Sequence, residues 1–177
     1  MPRWLGHLLL AAALLGTAAA HADPVQQPPS DAILAFDDFV KEHRDLCLRQ
    51  AAADCVDAGW RFADTDRNDR LSLDEVTAVR GALVNWTNWR GESLNKAEQG
   101  AIALGVWLVD SVGLAKLFDS YDSDGDAALT RDEILADVAL DERPLGEVLL
   151  DQQAVDREAV AQRLGALSPM LKGLLDK

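Results

Sequence analysis

Residues 122–133 read DSDGDAALTRDE, and residues 64–75 read DTDRNDRLSLDE. Laid over each other, the two stretches share Asp first, an acid or amide third and fifth, Leu eighth, a hydroxyl ninth and Asp-Glu last. An aromatic residue stands four positions before each (Trp60 and Phe118), and an apolar residue follows each final Glu (Val76 and Ile134). Carboxylates this close repel one another unless a positive charge sits among them. Alternate residues of a tight loop can aim their oxygens at one point. The pattern therefore predicts two loops that each close around a cation, with a helix before and after. Two solvated Asp-rich turns are the plain alternative, but a turn does not demand a second copy in the same apolar frame.

In length, spacing and frame these segments resemble a pair of EF-hands, the helix–loop–helix calcium-binding family. The likeness covers roughly residues 51–86 and 109–144 and, with the leader described below, is similar to the exported bacterial periplasmic type. Calcium takes six to eight oxygens at roughly 2.4 Å in a flexible shell. Carried over position by position, the resemblance implies a first site of Asp64, Asp66, Asn68, the Arg70 carbonyl, Ser72 and Glu75. It implies a second site of Asp122, Asp124, Asp126, the Ala128 carbonyl, Thr130 and Glu133, with both hydroxyls able to act through water. Leu71 and Leu129, at the eighth positions, would join the loops by a short backbone ladder. The sequence departs from the family at the sixth position, where Asp69 and Ala127 replace the usual Gly; each costs about 1 kcal/mol if the backbone there is left-handed. Arg67 and Arg70 weaken the first site electrostatically. The loops also stand farther apart than usual, with the excess between Trp86 and Leu114, yet an ordinary pair is expected.

Outward from the loops the periodicity is helical. Asp31–Leu46, Asp54–Ala63 and Leu73–Arg90 read as helices, the last ended by Gly91. Asn95 and Glu98 form a helix-start box for a helix running toward Asp119, broken at Gly105 or Gly113. Its AIALGVWLV core is apolar on all sides and reads as buried. Ile134–Leu140 continues as helix, and Pro144 and Pro169 start shorter ones. No strand-length alternation occurs, so the class is all-α: paired EF-hand motifs with an extra N-terminal helix and short C-terminal helices. The divisions are 1–22, signal peptide; 23–50, Pro-rich leader and N-terminal helix; 51–86, first hand; 87–108, insertion; 109–144, second hand; 145–177, C-terminal helices.

The opening residues MPRWLGHLLLAAALLGTAAAHADP carry a basic start, a short apolar run and an Ala20-His21-Ala22 cleavage site, the layout of an export signal and too short for a membrane span. A periplasmic or secreted location follows, with no membrane span after the signal's removal. Export also predicts a Cys47–Cys55 disulfide. On one continuous helix these residues would lie about 12 Å apart, and a disulfide needs about 7 Å or less, so the chain must turn between them.

The net charge is −13, and loss of Arg3 with the signal deepens it. Such a chain repels nucleic acid and anionic surfaces and favours cations. Beyond the signal the chain has one histidine, His43, and no Gly-rich phosphate loop, nucleophile elbow or Cys-rich zinc pattern, so an enzyme is not expected. The expectation is a calcium sensor or buffer. A calcium-stiffened structural or adaptor protein and, last, a calcium-dependent hydrolase are the alternatives. With Met170 the only methionine beyond the signal, a Met-rich sensor groove is absent, although the C-terminal helices could fill an apolar groove that a protein partner would otherwise occupy. The tryptophans, including Trp107, are expected in the core.

Overall fold

The computed structural model describes residues 29–165. The expected signal, the Pro-rich leader up to Pro28 and the helix expected at Pro169 lie outside the described residues. Helix α1 (Asp31–Arg49) and helix α2 (Ala52–Ala63) are separated only by Gln50-Ala51, where the backbone is extended. That break is the required turn: it brings Cys47 and Cys55 to 4.7 Å between Cα atoms, and they are disulfide-bonded.

Helix α3 (Leu73–Arg90) leaves the first loop with the boundaries its periodicity predicts. Phe36 of α1 meets Phe62 of α2 and Trp86 of α3 edge-on, at 5.6 and 5.7 Å between ring centroids. Beside them Asp37 is buried. Arg90 forks its two carboxylate oxygens at 2.9 and 2.7 Å, Trp86 Nε1 donates at 2.9 Å and Lys41 Nζ lies at 2.6 Å. The Arg90 hydrogen bonds, opposed by burial and helped by Lys41 and Trp86, hold this carboxyl well below the usual carboxylate range. The network fastens α3 to α1.

Gly91 ends α3 but does so in a right-handed conformation (φ −51°), and the chain runs on into a 3-10 turn, Gly91–Ser93. The predicted Asn95–Glu98 box caps helix α4 (Lys96–Val112). The predicted break falls at Gly113, whose φ of +93° favours a residue without a β-carbon. There the chain turns 82° into helix α5 (Leu114–Tyr121).

The expected burial of AIALGVWLV is not observed. Helix α4 packs mainly on α3 and α5, with Arg44 of α1 reaching its first turn at Glu98, and Leu104 and Trp107 are left 43% and 42% exposed. Trp60 and Trp86 are in the core as expected; Trp107 is not. No single helix among the described residues is long and apolar enough to cross a membrane.

The second loop leads into a single helical turn, α6 (Arg131–Ile134), rather than the helix expected through Leu140. The chain opens because its backbone finds other partners. Val138 forms an antiparallel bridge with Val155, Ala139 N donates to Ala154 O at 2.7 Å, and Asp156 N donates to Asp137 O at 2.8 Å. This places Val138 and Leu140 against a small apolar cluster of Ala52, Val148 and Ala154. Pro144 precedes helix α7 (Leu145–Leu150) as predicted, and helix α8 (Arg157–Leu164), capped by the Asp156 side chain, was not expected.

Two-residue strands β1 (Leu71–Ser72) and β2 (Ala128–Leu129) pair antiparallel, Leu71 opposite Leu129 and Ser72 opposite Ala128. The fold is all-α around this ladder. Despite the long insertion, the loops lie side by side over a shared core of Trp60, Ala63, Leu71, Phe118 and Leu129, one aromatic from the helix before each loop and one leucine from within each.

Candidate metal centre

Each loop begins as a helix ends. Asp64 N donates to Trp60 O at 2.8 Å and Asp122 N to Phe118 O at 3.0 Å, closing α2 and α5. The first Asp then folds the loop over itself. Asp64 accepts from Asn68 N and Asp69 N at 3.0 and 2.8 Å; Asp122 accepts from Gly125 N, Asp126 N and Ala127 N at 2.9, 3.1 and 3.0 Å. These are Asx-type turns, in which a short acidic side chain stands in for a backbone acceptor.

The last Glu fastens the loop's end to its start. Glu75 Oε1 accepts from Thr65 N and Oγ1 at 2.8 and 2.9 Å, while Oε2 accepts from Ser72 N and Oγ, both at 2.9 Å. Glu133 repeats the arrangement with Ser123 at 2.9 Å and Thr130 at 2.8 Å. Ser72 and Thr130 in turn accept from Glu75 N and Glu133 N, completing a capping box at the start of α3 and of α6. The Ser72 backbone N–H, opposed by burial and aided by the Ser72 hydroxyl and Thr65, holds Glu75 down at about 2. The Thr130 backbone N–H leads the same effect on Glu133, also at about 2. Both carboxyls are anionic donors at any neutral pH.

The turn residues behave as the missing glycines imply. Asp69 and Ala127 are left-handed, at φ +60° and +64°. A second left-handed position lies two residues earlier, at Arg67 (φ +60°) in the first loop and Gly125 (φ +72°) in the second. The Arg67 strain was not anticipated.

These turns aim carboxylates inward. Asp64, Asp66 and Glu75 each place an oxygen within 4.8 Å of the others', and so do Asp122, Asp124 and Glu133. Oxygens each about 2.4 Å from one ion are at most about 4.8 Å apart, so either trio could hold one. The donors are hard oxygens. Both cysteine sulfurs are tied up in the disulfide, and His43, on α1 and stacked on Phe39 at 4.8 Å, belongs to neither trio. Such a set fits a hard cation of the calcium, magnesium or manganese kind and not a thiophilic one.

Other predicted ligands have further partners. Asn68 Oδ1 accepts from Arg70 N at 2.8 Å, and its amide donates to Asp66 at 2.9 Å. Ser72 and Thr130 serve as helix caps. Arg70 and Ala128, whose carbonyls were expected to point inward, stand at the seventh positions, Arg70 just before the ladder and Ala128 within it. Asp126 is not in the converging trio: Oδ1 accepts from Ala128 N at 3.0 Å, and Oδ2 pairs with the Arg70 guanidinium of the other loop. In the opposite direction Arg131 reaches from α6 to Asp57 of α2 and, at 3.5 Å, to Asp69. Sequence reasoning missed both arginine bridges. It also missed the caps, although Ser-x-x-Glu and Thr-x-x-Glu spell them. Comparison with protein-family models, with curated proteins and with solved structures found no match for this chain.

Proposed function

We propose that this chain is an exported calcium-binding protein of the EF-hand type, taking one calcium ion in each loop and acting as a sensor or buffer. The observation that carries the reading is the repetition. Two loops of the same twelve-residue pattern share the hydrogen bonds of their first Asp to the fifth and sixth N–H groups and of their last Glu to the second and ninth residues, converge Asp-Asp-Glu oxygens on one point each, and are joined at Leu71 and Leu129. Chance acidic turns have no reason to be paired in register. Calcium rather than magnesium is favoured because a bidentate terminal Glu on a flexible loop suits the larger ion, whereas magnesium prefers a strict octahedron with several waters kept.

In this reading the first Asp and last Glu of each loop already stand in place, fixed by backbone N–H groups, and only the intervening residues adjust. Bound calcium supplies the positive charge that offsets the carboxylates. Because Glu75 and Glu133 begin α3 and α6, any movement of their carboxylates toward an ion is passed to those helices. The exposed Leu104 and Trp107 on α4 favour, as a second reading, a protein partner that the sensor would engage.

Calorimetry of the exported, disulfide-bonded protein against calcium and then magnesium tests this. Two calcium sites are expected, with tryptophan fluorescence changing on filling and both signals lost in a Glu75→Gln, Glu133→Gln double variant. At about 100 times Kd, calcium should add about 2.7 kcal/mol of stability. Protein stripped by chelator that takes up no calcium at millimolar supply overturns the reading.

A further inference from the structure

We propose that Arg70 of the first loop is a tethered cation held on Asp126 of the second, and that an ion entering the second loop must draw Asp126 away from it. The inference rests on the two-site calcium reading and concerns how one site regulates the other. Asp126 stands at the fifth position of its loop, two residues beyond Asp124, where its carboxylate would complete the acidic set. It faces the other loop instead. The ladder sets Leu71 opposite Leu129, so the residue before Leu71 lies alongside the second loop, and Arg70 closes an ion pair on Asp126 Oδ2. The chain turns just before Arg70, where Asp69 is left-handed.

The charges are complementary. The first loop carries Asn68 at its fifth position and two arginines, Arg67 and Arg70, before the ladder; the second carries Asp126 at its fifth position, and its one arginine, Arg131, comes after the ladder. The second loop's extra negative charge is thus already offset by its neighbour. A guanidinium cannot be deprotonated in the working pH range, so the competition persists at every pH and responds to salt. It also links the sites. Asn68 Oδ1 accepts from the Arg70 backbone at 2.8 Å, so release of the side chain loosens the first loop at one of its own donors. Affinity at the second loop therefore falls below what four acids imply, and its filling is felt in the first.

Two measurements on the full exported chain decide this. In the unsubstituted protein, nuclear magnetic resonance follows the Arg70 Nε–H signal, assigned by its loss in Arg70→Gln. With chelator it should differ from its position in Asp126→Asn, and calcium titration should move it toward that position as the second loop fills. In a Glu75→Gln background, where the second loop is read alone, Arg70→Gln should raise calcium affinity about two- to fivefold, the worth of a partly exposed pair. Arg67→Gln, which removes the same charge three residues away and breaks no ion pair among the described residues, should do less. An Arg70 signal unmoved while calcium binds, or equal effects of the two substitutions, overturns this inference and leaves the calcium reading intact. No calcium uptake by the unsubstituted protein overturns both.

Discussion

The two loops make matching hydrogen bonds but are supported by opposite means. The first lies between α2 of 12 residues and α3 of 18, and its Asp64 and Glu75 are buried. The second lies between α5 of 8 residues and a helical turn of 4, and its Asp122 and Glu133 are only half-buried. Yet the better-supported loop carries the poorer turn residues, with both left-handed positions filled by side-chain-bearing residues, Arg67 and Asp69. The second has Gly125 at one of them. A left-handed non-glycine costs about 1–2 kcal/mol, and burying one large side chain recovers about 1.5–3. The difference teaches that packing behind a loop can substitute for glycine within it. Where packing is thin, the loop depends on turn residues and on arginines reaching across.

The largest break in this comparison is expected at the root of the first hand. Arg90→Ala leaves the Asp37 carboxylate buried with only Lys41 and Trp86 for company, and should cost about 3 kcal/mol in chemical unfolding at neutral pH. The pH dependence follows from the depressed Asp37 carboxyl. Its contribution is fully present above the ordinary value of 3.8 and is lost as the pH falls through its lowered folded value. The gap between Arg90→Ala and the parent protein should therefore narrow on acidification. A constant gap would mean that Arg90 acts by packing alone.

Next in size is the closing glutamate. With ions removed, Glu75→Gln puts an amide where one buried oxygen accepts two hydrogen bonds, and should cost about 2 kcal/mol. Glu133→Gln, made in a half-buried setting, should cost less. Equal losses would show that the two loops are supported alike, contrary to their burial.

Much of this difference was written in the sequence, and some was not. The loops, the Leu71–Leu129 pairing, the disulfide and the boundaries of α3 follow from local rules: alternating oxygens, an apolar frame, and cysteines too far apart on one helix. What failed was tertiary. AIALGVWLV reads as buried because a helix apolar all round usually is, but whether another element covers it is decided by where Gly113 turns the chain. Ile134–Leu140 reads as helix by pattern, yet Val138 is captured by Val155, a partner no local rule supplies. At Asp126 the ligand reading by position stands as it was, and what no local rule supplies is that the ladder brings Arg70 to it. Ser72 and Thr130 were legible in two ways, as ligand hydroxyls and as caps, and the resemblance favoured the first.

The smallest effect tests the turn residues themselves. Gly125 has φ +72°, and a β-carbon built there meets no atom within 4 Å, so Gly125→Ala adds backbone strain and nothing else. The strain, about 1–2 kcal/mol, is offset by the roughly 0.4–1 kcal/mol that Ala gains over Gly by narrowing the unfolded chain. A net loss of about 0.5–1 kcal/mol should result, read as a shifted denaturant midpoint at unchanged slope with chelator present. Ala127→Gly should gain a similar amount by the reverse reasoning. Asp69→Gly should gain less, because Asp tolerates the left-handed region better than Ala. If Asp69→Gly instead gained more than Ala127→Gly, the first loop would be the more strained in spite of its packing, and the support attributed to α2 and α3 would have to be sought in the ladder that both loops share.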